Sequence, residues 1–231
     1  MGGGVTPSAT LDSRPGDSGF NHQAALALFG EFALRCDSLD EILTEGCRLV
    51  GEALGTHLAK VVELQPDGRA MLVRAGVGWP PGIVGHMLVD AATHTPERLA
   101  LDSGEPVISP EIDREERFDV PAFVRENGVK SLATVVIVGA GGHPPFGVLQ
   151  VDSRTVREFT PAETQFLRNY ANLLAAAVER LRVVDELRAR ADDSQRLLLE
   201  LQHRVKNNLQ TVMNLVTMRV RRAKSPEAVR A

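Results

Sequence analysis

The stretch Ser131-Leu132-Ala133-Thr134-Val135-Val136-Ile137-Val138, the turn Gly139–Pro145, and the run Phe146-Gly147-Val148-Leu149-Gln150-Val151 together decide how this chain is read. Two β-branched, apolar runs flanking a Gly/Pro-rich connection predict an antiparallel hairpin. Nine residues later Thr160-Pro161-Ala162-Glu163 opens a helix, with Thr as cap, Pro at the first position and Glu at the third. No Pro or Gly occurs from Ala162 to Lys224. A helix of that extent would be on the order of 90 Å long, too long for a compact domain. Part of it must pack on another chain, or fold back at a break the sequence does not reveal.

Upstream of the hairpin the patterns alternate. From Asn21 an apolar period of helical type runs through Ala25, Leu28, Phe29, Phe32 and Ala33. Ser38-Leu39-Asp40-Glu41 reads as a capping box for a second helix that stops at Gly55. His57–Leu64 and Ala70–Ala75, joined by Gln65-Pro66-Asp67-Gly68, predict another hairpin, and Gly76–Gly85 a loop around Trp79. Thr95–Asp102 reads as a short helix, Pro106–Ser109 as a small strand, and Pro121–Glu126 as a helical turn. Residues 1–20 are Gly-, Ser-, Pro- and Asp-rich without period and read as a disordered leader. The expected class is α+β: an antiparallel sheet with flanking helices over Asn21–Arg180, followed by a long C-terminal coiled-coil dimerisation helix.

Composition narrows the function classes. The 231 residues carry a net charge of −4, which argues against nonspecific nucleic-acid binding by the whole chain. Residues 200–231 are locally basic. Cys36 and Cys47, the only cysteines, have no ligand-type spacing, so neither a disulfide framework nor a zinc site is expected. No apolar run approaches ~18 residues and the N-terminus lacks a secretory pattern, so a soluble cytoplasmic protein without membrane partners is expected.

The long helix carries two apolar seams. The first is Tyr170, Leu174, Ala177, Leu181 and Val184; the second runs Leu187, Ala191, Ser194, Leu198, Leu201, Val205, Asn208, Val212 and Leu215. Each reads as a coiled-coil seam and predicts a homodimer. The step Leu181–Val184–Leu187 is two threes in succession, a stammer that serves either as a point of signal transfer or as an ordinary irregularity. With Leu198 at a and Leu201 at d, His203 falls at f, away from the partner, with Lys206, Asn207 and Gln210 on its side. An exposed imidazole between Arg204 and Lys206 can attack a phosphoryl group whose charge those cations stabilise. By spacing alone a solvated basic face with an incidental histidine is the more usual reading, since charged helix faces are common.

The sequence around that histidine carries a resemblance. Leu198–Gln210, with its core His203-Arg204-Val205-Lys206-Asn207-Asn208-Leu209-Gln210, resembles the phosphoacceptor box of the HWE and related HisKA-type sensor histidine kinases. Ser225-Pro226-Glu227-Ala228 resembles the link into that family's second dimerisation helix. The resemblance implies that His203 takes the γ-phosphoryl group of ATP and passes it to an aspartate of a response regulator receiver domain, with Arg204, Lys206, Asn207 and Gln210 in support. It also implies an ATP- and Mg-binding kinase domain downstream, which the sequence to Ala231 does not contain. The chain alone is therefore expected not to phosphorylate itself. Gly139-Ala140-Gly141-Gly142-His143 lacks the lysine and helix start of a phosphate loop and reads as a hairpin tip.

Residues 21–182 resemble a GAF domain, carried by Ser38–Leu54, the His57–Ala75 hairpin, Leu99–Ile108 and above all Phe146–Phe159. Residues 183–231 then form a signalling helix and a partial dimerisation and phosphotransfer region. The resemblance implies a small-molecule pocket between the sheet and the 76–130 loops. Trp79, Phe118 and Phe123 are candidates to line it, or simply to fill a core. No cysteine lies in those loops, which argues against a covalent bilin, and the histidines lack metal-ligand spacing. No cofactor is expected within the chain. The alternative function is a ligand- or partner-binding module whose tail only dimerises; a stand-alone enzyme has no readable constellation.

Overall fold

The computed structural model describes residues 15–90 and 93–223. Residues 1–14 of the expected leader and the Ser225–Ala228 link lie outside the described residues. The chain divides into two units, Met1–Leu181 and Arg182–Ala231.

The first unit is built on helices α1 (Pro15–Arg35) and α2 (Leu39–Ala53) and strands β1 (Ala59–Leu64), β2 (Ala70–Val77) and β3 (Leu88–Asp90). Helix α3 (Pro96–Ser103), β4 (Val107–Ser109), α4 (Ala122–Glu126), β5 (Ser131–Ile137), β6 (Gly147–Ser153) and helix α5 (Pro161–Ala223) follow. Helix α1 starts at Pro15, six residues before the apolar period begins; Pro is at home in a first helical turn, where its missing N–H is not needed. Strand β3 was not expected from the sequence.

The six strands form one antiparallel sheet in the order β3-β2-β1-β6-β5-β4. Both expected hairpins are present, and β1 meets β6 in the middle, with Lys60 opposite Gln150 and Val62 opposite Val148. Gly147 leaves no room for a side chain against β1: a Cβ there would lie 2.0 Å from the Val62 carbonyl oxygen, and its φ is +154°.

Each face of the sheet has its own core. On one face Ala59, Val61, Ala133, Val135, Leu149 and Val151 pack against α1, α2 and the first turns of α5. On the other, Leu58, Val62, Leu132 and Val148 pack under α3, α4 and the loops between β2 and β5. The α5 start is capped as its sequence requires: Glu163 N–H donates to the Thr160 hydroxyl (3.2 Å) and Thr160 N–H donates to the Glu163 carboxylate (2.8 Å). The box at Ser38 is one-sided. Glu41 N–H donates to the Ser38 hydroxyl at 3.4 Å, while the Glu41 carboxylate accepts from the Cys36 thiol.

One expectation is corrected. The first seam of the long helix is not a coiled-coil surface. Tyr170 and Leu174 are fully buried and Ala177 and Leu181 nearly so, packed among Phe29, Ile42, Leu43 and Cys47 of the same chain. Periodicity identifies a buried stripe but not its partner, and here the domain's own helices cover it. Helix α5 is assigned over Pro161–Ala223. None of the described helices is long and apolar enough to cross a membrane.

Candidate functional site

The second unit carries the segment of α5 from Leu198 to Met213. Leu198, Leu201, Val205, Leu209 and Met213 line a continuous apolar groove with Gln202, Lys206 and Gln210 at its edges. At about 100° per residue, His203 points ~140° from the middle of that apolar stripe. His203, Arg204, Lys206, Asn207 and Gln210 are all exposed. Arg204 pairs with Glu200 one turn earlier, Gln210 donates to the Asn214 side chain (3.3 Å), and the Asn207 carbonyl accepts from Thr211 (2.9 Å). Around the helix Gln210 lies within ~20° of His203 and Asn207 within ~40°, while Lys206 stands ~60° from it, towards the stripe. The imidazole is thus exposed on the side the apolar stripe does not use.

In the first unit, Trp79 and Phe123 come together, with ring centroids 5.6 Å apart. Phe118 is buried in the same apolar cluster. Trp79 is fixed by its indole N–H, which donates to the Ala59 carbonyl (3.1 Å), and its loop is tied down by Arg154, which donates to the Gly78 and Asn127 carbonyls.

Under these rings lies a group of buried polar residues that sequence reasoning missed. The Lys60 ammonium sits 4.7 Å from the Trp79 ring centre and 5.7 Å from that of Phe123. It donates to Asp152 at 3.0 Å, and both side chains are fully buried. Asp152 also accepts from Gln150 (2.6 Å), and Gln150 accepts from Thr134 (3.0 Å). Lys60, Gln150 and Thr134 are direct neighbours across three strands, so one polar row crosses the middle of the covered sheet. Glu97, in the first turn of α3, is fully buried, and neither carboxylate oxygen has a hydrogen-bond partner among the described residues. Burial holds its pKa above the ordinary carboxylate value, opposed chiefly by the Lys60 charge. The alternation of these residues with apolar ones could have flagged them, had both faces of the sheet been known to be covered.

Neither cysteine is placed for chemistry. Cys47 is buried on α2 with its thiol pushed up to about 12 by burial, and Cys36 is half-buried at the α1–α2 corner. Among the described residues no group of His, Cys, Asp and Glu is arranged to hold a metal ion.

Comparison with known proteins agrees with this geometry. The family model described as GAF domain matches residues 38–178, and the one described as histidine kinase matches residues 200–231. No curated protein matches the sequence. Among solved structures, the GAF domain of a phosphoenolpyruvate-protein phosphotransferase from Coxiella burnetii superimposes with a TM-score of 0.64 at 16% identity, covering 72% of this chain and 98% of that one. The corresponding Acinetobacter domain gives 0.61 at 19% identity, covering 71% and 97%. A free methionine-R-sulfoxide reductase from Neisseria meningitidis, solved with its substrate, gives 0.62 at 15% identity, covering 76% and 98%. At these identities the likeness is one of fold. The two family matches support a sensor-kinase-like role in signal transduction. The chain belongs to the GAF domain family, and a stretch matching the histidine kinase family begins at residue 200.

Proposed function

We propose that the chain is the sensory-input and phosphoacceptor portion of a two-component sensor histidine kinase, with His203 as the phosphoacceptor. The observation that carries the reading is His203 itself: exposed, opposite an apolar helix stripe, and inside the segment that matches the histidine kinase family. In the proposed step a ring nitrogen of His203 attacks the γ-phosphorus of ATP held by a kinase domain with Mg. The N–P bond forms as the bond to the bridging oxygen breaks, and ADP leaves. Arg204 and Lys206 flank the imidazole and would offset the charge of the incoming phosphoryl group. A receiver-domain aspartate then attacks the same phosphorus, and the N–P bond breaks as an acyl phosphate forms. The apolar stripe beneath, Leu198 to Met213, would be covered by a second copy, giving a homodimer.

The test supplies a separate histidine kinase ATP-binding domain, Mg and ATP, and measures an acid-labile phosphoryl group on the chain. Labelling of the parent and loss in His203→Gln is the expected result; equal labelling of both overturns the assignment. A second reading is favoured by the buried Lys60–Asp152–Glu97 group, which is more elaborate than a sheet core requires. In it the GAF domain binds a small molecule or a partner and the tail only dimerises. Absence of label with ligand binding intact would select it.

A further inference from the structure

Between α1 and α5 in the first unit runs an apolar groove of about 250 Å³, lined by Gly30, Ala33 and Leu34 on α1 and by Leu173, Ala176 and Ala177 on α5. Leu34 on its rim is 75% exposed. Gly30 stands in the body of α1, where glycine weakens a helix. Its own chain does not require it: a Cβ there would meet nothing within 4 Å among the described residues. A glycine with no such need at home suits the close approach of a second helix. The register of α5 points the same way. Counting back from the exposed seam in sevens, Leu201, Ser194 and Leu187 lead to Arg180 and Leu173, while Val205, Leu198 and Ala191 lead to Val184 and Ala177. The seam thus keeps one heptad phase upstream as far as the groove residues, and the two successive threes at Leu181–Val184–Leu187 belong only to the stripe buried in the domain. Arg180, at the end of the groove, does not oppose an apolar partner, because its guanidinium pairs with Asp37 and donates to the Cys36 carbonyl of its own chain.

We propose that α5 of a second copy lies in this groove, parallel to the first and in the phase of the downstream seam, so that the sensory domain is itself part of the dimer interface. Two-fold symmetry then seats each copy's α5 in the other's groove, and the same contact is made twice. Parallel pairing follows from the polar members of the seam. Ser194 and Asn208 share a heptad position with Leu173 and Leu201. In a parallel pair like positions face each other, so each polar side chain meets its own counterpart as a hydrogen-bond partner. An antiparallel pair would set them against the other position, which holds Ala177, Ala191 and Val205, and leave them without one. The proposal rests on reading the chain as a homodimer, and it extends that dimer from the helix tail to the domain.

The test uses the full chain with Cys36→Ser, which leaves the buried Cys47 as its only native thiol, and adds one cysteine at a time before mild oxidation. Leu173→Cys in the groove and Leu201→Cys in the seam should each give a disulfide-linked dimer. Arg168→Cys, exposed on α5 about 140° round the helix from Leu173, should not. A cross-link at Leu201→Cys without one at Leu173→Cys overturns the proposal and leaves the homodimer standing; the groove then belongs to a small apolar molecule or a different protein. No cross-link at either position removes the homodimer reading and this extension together. Two further variants make the outcome independent of cysteine chemistry. Gly30→Leu fills the groove where its own chain leaves space, and Ala176→Glu puts a charge on its exposed side. Each should weaken dimerisation by roughly tenfold or more in sedimentation equilibrium, with the helix content by circular dichroism unchanged. Parent-like dimerisation in both overturns the proposal.

Discussion

Replacing Lys60 by Met should destabilise the chain by about 3–5 kcal/mol, and the reason can be followed atom by atom. Met keeps most of the length and apolar volume of the lysine stem, so contact with Trp79 and Phe123 survives and little of the cost comes from packing. What is lost is the charge. Asp152 is fully buried and, among the described residues, accepts from two side-chain donors, Lys60 at 3.0 Å and Gln150 at 2.6 Å. Without Lys60 it becomes a buried anion held by one neutral amide. Adding Asp152→Leu removes that anion. The double variant should recover most of the loss, leaving about 1–3 kcal/mol because the Gln150 amide then lacks its acceptor. Urea unfolding with linear extrapolation measures both, at one fixed protein concentration because a dimer's stability depends on it. If the double variant is as unstable as Lys60→Met alone, the cost lay in packing and the buried pair is not what the geometry implies.

Other consequences are as specific. Because burial raises the pKa of Glu97, the folded state holds a proton that the unfolded state has released above the ordinary carboxylate value. Its contribution is therefore full below that value and is lost as pH rises through the folded one. Glu97→Gln should flatten the stability–pH profile of the chain without ligand, and an unchanged profile would remove Glu97 as the cause. Gly147→Ala would place a methyl group against the Val62 carbonyl at a φ alanine rarely adopts, costing on the order of 4 kcal/mol. Thermal unfolding within a few degrees of the parent would show that the β1–β6 contact relaxes freely. Leu201→Asp with Val205→Asp puts charges into the exposed stripe and should yield a monomer at micromolar concentration by sedimentation. A parent that already sediments as a monomer would refute the dimer.

The strands and caps were legible because their chemistry is local. Glycine- and proline-bearing turns between β-branched runs gave both hairpins, and Thr160 with Glu163 gave the start of α5 to the residue. Strand β3 was not legible. It has three residues, of which only Val89 is buried, too few for a period to form. The polar row escaped for a different reason. In Ala59-Lys60-Val61 and Leu149-Gln150-Val151-Asp152 the polar residues alternate with apolar ones, the pattern of a sheet with one wet face. Here α3, α4 and their loops cover that face, and no local pattern shows that a polar side chain will be covered by an element distant in sequence. Of the expected pocket aromatics, Trp79 and Phe123 do meet, but the charged residues between sheet and helix were absent from the reading.

The two seams of α5 look alike in sequence and have opposite fates, and the difference constrains how the chain can work. The first is satisfied within its own domain as far as Leu181, and its last member, Val184, is half-buried. The second, from Leu187 through Leu198, Leu201, Val205, Val212 and Leu215, is exposed at every one of these positions. Burying a side chain of this size contributes about 1.5–3 kcal/mol, so several on each of two chains exceed the lower range of association costs. Internal packing stops where Arg180 ties α5 to the α1–α2 corner, donating to the Cys36 carbonyl and pairing with Asp37 at 3.2 Å. Up to that contact the helix is fixed by its domain. Beyond Leu187 nothing in the same chain's described contacts buries its apolar stripe. The Arg180 contact marks the end of the domain's hold on α5, 23 residues before His203 in sequence.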